Sequence, residues 1–145
     1  MTDDDLRALA ISRYEFWPHD ETLSVLAAAQ GKVLASVSLD LGDYGQPDHL
    51  AFRFGDGGGF RIYDFCNYRA MTTDDDLSAF AGATFLGAEV RKGPIYDDDD
   101  EVHEIAFLVV STSLGEFTVE THNWHNGYYG GFSIKACPLD CDTQI

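Results

Sequence analysis

The residues with the plainest chemical consequence are Asp97, Asp98, Asp99, Asp100 and Glu101, five carboxylates in succession. Close neighbours of like charge repel by something like 1 kcal/mol per pair at surface dielectric. If the run is extended, Asp97, Asp99 and Glu101 point one way at intervals of about 6.6 Å, and Asp98 and Asp100 point the other. Such a comb complements a row of Lys or Arg. Its simplest structural role is a solvated loop; its functional role would be a partner-facing acidic surface. Calcium fits less well, because an EF-hand loop needs alternating Asp, a central Gly and a closing Glu, and neither this run nor Asp40 to Asp48 has that spacing.

A second group is His122 and His125, an H-x-x-H pair with Glu120 close by. Residue types of this kind ligate zinc or exchange protons. On a strand, however, residues three apart face opposite sides, so the two imidazoles converge only if a turn intervenes. No metal and no cofactor is expected. Asn126-Gly127 is a tight-turn signal. Tyr128 and Tyr129, beside Gly130-Gly131, then form an aromatic pair next to open backbone and are candidate anchors for a partner. Trp124 and the Tyr14-to-Trp17 segment pose the same choice between packing and binding.

Catalytic patterns are missing. There is no G-x-S-x-G elbow, no phosphate-binding G-x-x-x-x-G-K-[ST] and no G-x-G-x-x-G. Cys66 stands beside Asp64, where acid disfavours a thiolate. No catalytic residue is assigned, and the expectation is a protein that is not an enzyme.

The elements that must position these residues follow from composition and pattern. The 145 residues are 45% hydrophobic and 13% aromatic, enough for one core. Against 9 Lys and Arg stand 25 Asp and Glu, a formal charge of -16. That balance excludes direct binding to nucleic acid or an anionic membrane, both of which need clustered cations. No apolar run approaches a membrane span, and the acidic start lacks the cations of a signal peptide, so a cytoplasmic protein is expected. Three cysteines cannot all pair within one chain, and a disulfide framework is not expected. One acidic domain over 1–136 and a short tail over 137–145 are expected.

Thr2-Asp-Asp-Asp-Leu6 recurs as Thr73-Asp-Asp-Asp-Leu77, and both read as helix starts with a Thr N-cap and acids in the first turn. The second of these helices is expected from about Asp74 to Ala81 with Gly82 as its stop, and another near Asp20 to Ala29 before Gly31. Strands are expected at Lys32 to Leu39, His49 to Phe54, Phe60 to Phe65, Thr84 to Val90, Glu104 to Ser111, Phe117 to Trp124 and Tyr129 to Lys135. The last two are expected to form a hairpin about Asn126-Gly127. The fold class is α+β: a largely antiparallel sheet of about six strands with two or three short helices on one face.

The C-terminal half, ending in Trp124-His-Asn-Gly-Tyr-Tyr-Gly-Gly-Phe132, resembles a family of uncharacterised domains of bacteria and their phages. In that family a strand after a Gly turn runs into an Asn-Gly-Tyr-Tyr hairpin. The resemblance covers roughly residues 50 to 136. It implies an α+β domain with phage or mobile-element associations, and it transfers no catalytic residue.

Charge and resemblance together lead to one expectation. The protein is an acidic inhibitor that binds a basic, nucleic-acid-binding partner of a host defence system, of anti-CRISPR or related type, with possible DNA mimicry. Asp97 to Glu101, Tyr128 and Tyr129 would make the contact. The alternatives are an immunity protein against a basic toxin nuclease, and a small-molecule or second-messenger binder near Trp124.

Overall fold

The computed structural model describes residue 16 and residues 21–42, 47–64, 69–98, 100–127 and 131–140. One α-helix, α1 (Thr22–Ala29), precedes the strands β1 (Leu34–Asp40), β2 (His49–Phe54), β3 (Gly59–Asp64) and β4 (Arg69–Thr72). A 3-10 turn (Leu77–Phe80) then leads into β5 (Phe85–Asp98), β6 (Glu101–Thr112), β7 (Gly115–His125) and β8 (Ile134–Pro138). The strands form two antiparallel four-stranded sheets, ordered β1-β2-β3-β8 and β4-β7-β6-β5.

The sheets share one core because alternate residues of each turn apolar side chains toward the other. Phe52 of β2 stacks on Phe60 of β3 at 4.4 Å between centroids, and Phe85 of β5 meets both edge-on at 5.7 and 5.2 Å. Phe117 of β7 closes the group 6.4 Å from Phe52. All four rings are buried. Aromatic pairs in such geometry add about 0.5–1.5 kcal/mol beyond their area burial.

The chain is built twice. Gly31 and Gly82 each follow a helical segment with φ near the left-handed region, at 86° and 88°. The segments after them then bond reciprocally. Leu34 N–H donates to Ala83 O and Phe85 N–H to Lys32 O, while Gly82 N–H donates to Leu34 O and Gly31 N–H to Phe85 O. Each half continues with a bulged first strand, at Leu34/Ser36 and at Phe85/Gly87, and a three-stranded meander. Each then gives its fourth strand away: β4 leaves β3 to pair with β7, and β8 leaves β7 to pair with β3.

The largely antiparallel architecture with helix agrees with expectation, but its counts and layering differ. The described residues form eight strands in two sheets rather than about six in one, and hold one α-helix. The expected helix at Asp74 to Ala81 is a single 3-10 turn, because only four residues separate its cap, Asp76, from the chain's exit toward β5. Asp76 accepts from Ser78 N, and Asp75 braces β7 by accepting from Thr118 N at 2.8 Å. The segment at Thr2 lies outside the described residues. The chain bends at Asn126-Gly127, with Gly127 at φ 101°, but β7 and β8 on either side do not pair with each other.

β8 continues through Cys137 and Pro138, beyond the expected start of the tail. Cys137 is disulfide-bonded. An odd cysteine count rules out complete pairing but leaves room for one bridge, and Cys66 and Cys141 both lie outside the described residues. No helix among the described residues is long and apolar enough to cross a membrane.

Candidate functional site: the extended hairpin of the second half

The two halves share a hydrogen-bond pattern and differ in the length of their first strand pair. β1 and β2 have 7 and 6 residues, whereas their counterparts β5 and β6 have 14 and 12. The addition is a finger that carries the acidic run at its tip. The run is therefore not a free loop. Asp97 pairs with Val102 and Asp98 with Glu101, and the chain reverses between them. Because it reverses, Asp98 and Glu101 share one face, not opposite ones as a single extended strand would place them. Asp97, Asp98, Asp100 and Glu101 are exposed, and Asp99 lies outside the described residues.

A bulge sets which side chains face which way. Lys92 pairs with Ala106 and Ile95 with Glu104, so Gly93 and Pro94 together stand opposite Ile105. Pro94 has no N–H to lose from the ladder. A Cβ on Gly93 would stand 2.6 Å from Ile105 O and 2.8 Å from the Phe107 ring, so the close approach needs glycine. The extra residue inverts the alternation beyond it. Val90 faces the core, and past the bulge Ile95 and Asp97 continue that face while Tyr96 and Asp98 turn outward.

Tyr96 thereby joins a row of rings across the outer face. Tyr96 lies 5.9 Å from His103, which stacks on Trp124 at 4.4 Å and 12°. His122 stacks on Trp124 at 5.2 Å and on His103 at 5.2 Å. His103 Nε2 and His122 Nδ1 share a hydrogen bond of 3.0 Å. His122 Nε2 faces Thr72 Oγ1 at 2.8 Å and Glu120 Oε2 at 3.5 Å. Burial first, then repulsion from His103, lowers the His122 pKa below its ordinary 6.5, and Glu120 partly opposes them. His103 and Glu120 approach different nitrogens of His122, so the three do not converge on one metal position.

On the same face, Thr72, Thr73, Asp74, Asp75, Thr118 and Glu120 line a cleft of about 250 Å³. Tyr96 and Trp124 keep 59% and 42% of their surface exposed. Acids thus border the ring row at both ends, and no Lys or Arg occurs between Lys92 and Lys135.

His125 points to the other side, as strand alternation requires. Gly127 N–H donates to its Nδ1 at 2.9 Å, which leaves Nε2 as the protonated nitrogen, donating to Glu104 Oε1 at 2.5 Å. Gly131 N–H donates to the same oxygen at 3.1 Å. This half-buried pair ties the segment after β7 to the finger. Beside it, a cleft of about 190 Å³ opens among Lys92, Gly93, Ile95, Glu104, Ile105, Ala106, Gly131 and Phe132.

Of the residues expected from sequence, the finger gathers Asp97, Asp98, Asp100 and Glu101 near Trp124. Tyr128 and Tyr129 lie outside the described residues. Tyr96, His103 and the Glu104–His125 pair escape sequence reasoning, because their contacts depend on cross-strand register. The one available signal is Gly93-Pro94, a bulge-forming dipeptide in an otherwise strand-like run. No family model, no curated protein and no solved structure matches the chain.

Proposed function

We propose that the protein is a non-enzymatic, acidic inhibitor that binds another protein through the finger and its outer face, covering a basic nucleic-acid-binding surface. The observation that carries this reading is the arrangement on one face: exposed Tyr96 and Trp124 between an acidic tip and an acidic cleft, with no Lys or Arg from Gly93 to Ile134. Exposed aromatics surrounded by charge suit an interface in which rings anchor and carboxylates steer. A guanidinium of the partner would find both a ring face and carboxylates. A net charge of -16 adds long-range attraction for a cationic partner.

The phage or mobile-element setting, with a host defence protein as target and the host cytoplasm as compartment, rests on the resemblance of residues 50 to 136. An immunity protein against a basic nuclease would use the same surface and differs only in the partner. A small-molecule binder would instead use the cleft beside Glu104.

The test is capture from nuclease-treated bacterial lysate, comparing the wild type with a variant carrying Asp97→Asn, Asp98→Asn, Asp100→Asn and Glu101→Gln. The proposal expects a cationic nucleic-acid-binding protein that leaves in a salt gradient, is displaced by duplex DNA and is lost with the variant. Equal retention by the variant, or retention insensitive to salt and DNA, would overturn it.

A further inference from the structure

We infer that His103 and His122 form a one-proton switch at the root of the finger, in which a single shared proton places a positive charge inside the ring row and weakens the field of the acidic tip. For its effect on a partner this inference rests on the proposed function; the switch itself does not.

The facing nitrogens, His103 Nε2 and His122 Nδ1, are 3.0 Å apart, a distance that requires one N–H and one lone pair between them. A first added proton is compatible with this bond. It makes one imidazole doubly protonated while the other still accepts. A second proton removes the last acceptor, so two N–H groups would face each other and the pair must part. The two rings therefore titrate as a unit.

The surroundings decide where the first proton goes. His122 is the buried member, and burial disfavours charge on it. The proton therefore settles on His103, whose Nε2–H donates to His122 Nδ1. His122 Nε2–H is then directed at Thr72 Oγ1 and Glu120 Oε2. The imidazolium of His103 lies between Tyr96 and Trp124, where ring faces stabilise a cation. The groups facing the pair are Glu120 and Trp124 from β7, Thr72 from β4, Tyr96 and Asp98 from β5, and Glu101 from β6. The charged ones are all acidic. A proton taken up here offsets the Asp98 and Glu101 carboxylates next along the finger.

The experiment uses the full chain alone. Ring nitrogen shifts of His103 and His122 are followed by NMR as pH falls from 8 to 5, with Trp124 emission recorded in a Trp17→Phe background. The expected result is one proton taken up on His103 while His122 stays neutral and hydrogen-bonded, with Trp124 emission quenched in the same one-proton step. His122→Leu should move that step to lower pH, because the imidazolium loses its acceptor, and Thr72→Val gives a milder check should the first variant fold poorly. Independent protonation of both rings, or a Trp124 signal indifferent to pH, would overturn the switch. No partner is needed, so this failure is distinct from failure to find a basic target.

Discussion

The first half of the molecule and the second share a skeleton and differ in what stands on it. In the first, α1, the Gly31 turn and the short β1–β2 pair are spent on burying Phe52, Leu50 and Ile62. In the second, the equivalent Gly82 turn and β5–β6 bury Phe85, Val90, Leu108 and Val110, and then the pair continues past the sheet's core. What is chemically unusual lies on that continuation or on the β7 residues beside it: the acids and the Gly93-Pro94 bulge on β5–β6, and the ring row and Glu104–His125 pair shared with His122, Trp124 and His125 of β7. The difference separates a scaffold that two halves need from a finger that only one has. Like charges opposed at Asp98 and Glu101 do nothing for folding. Their presence on a strand pair, at some cost, is the argument for a binding role.

The separation can be broken where both halves meet. Phe60→Ala removes a fully buried ring that stacks on Phe52 and touches Phe85, and should lower unfolding free energy by about 3–5 kcal/mol. Denaturant unfolding checks this, and finger and scaffold should lose structure together. Gly93→Ala acts on the finger alone. Its Cβ meets backbone at Ile105, and a cost of about 1–3 kcal/mol is expected. Hydrogen exchange should quicken in β5 and β6 beyond the bulge and stay unchanged in β1 to β3. Deleting Pro94 removes only the extra residue and leaves Tyr96 opposite His103, so its NMR ring contact to His103 should persist while Gly93 alone faces Ile105, with a stability change of about 1 kcal/mol or less.

A smaller effect is expected with pH. The His122 pKa is lowered in the folded protein, so the unfolded chain binds protons more readily. Its contribution is complete above the ordinary value of 6.5 and is lost as pH falls through 6.5 toward the lowered value. Thermal unfolding should therefore show a decline in this window that His122→Leu removes. The smallest effect is at the tip. Neutralising Asp98 and Glu101 should raise the unfolding midpoint slightly at low salt and leave it unchanged at high salt, where screening already hides their repulsion.

Local signals were legible where they also decide the local structure. His49 to Phe54 reads as a strand between Pro47 and a Gly-rich turn and is one, and both Gly31 and Gly82 end helical turns as expected. Asn126-Gly127 shows why such reading stops short: the dipeptide specifies a turn, but the partner of the next strand is set by the core, where Ile134 and Ala136 pair into the first sheet. The polar composition of the acidic run suits a solvated loop, yet pairing across the finger holds Asp97, Asp98 and Glu101 in strands. The ring row was invisible for the same reason. Tyr96, His103 and Trp124 lie on three different strands and meet only through cross-strand register, regular between β6 and β7 and bulged between β5 and β6.

In the proposed function the finger, not the scaffold, holds the partner. The most direct measurement replaces residues 94–103 with a two-residue Asn-Gly turn and compares this trimmed chain with the wild type. Thermal unfolding is followed alongside salt-gradient capture of cationic proteins from nuclease-treated lysate. The trimmed chain should still unfold cooperatively and retain none of the DNA-displaceable protein held by the wild type. A folded, trimmed chain that captures the same protein to the same salt concentration would contradict it.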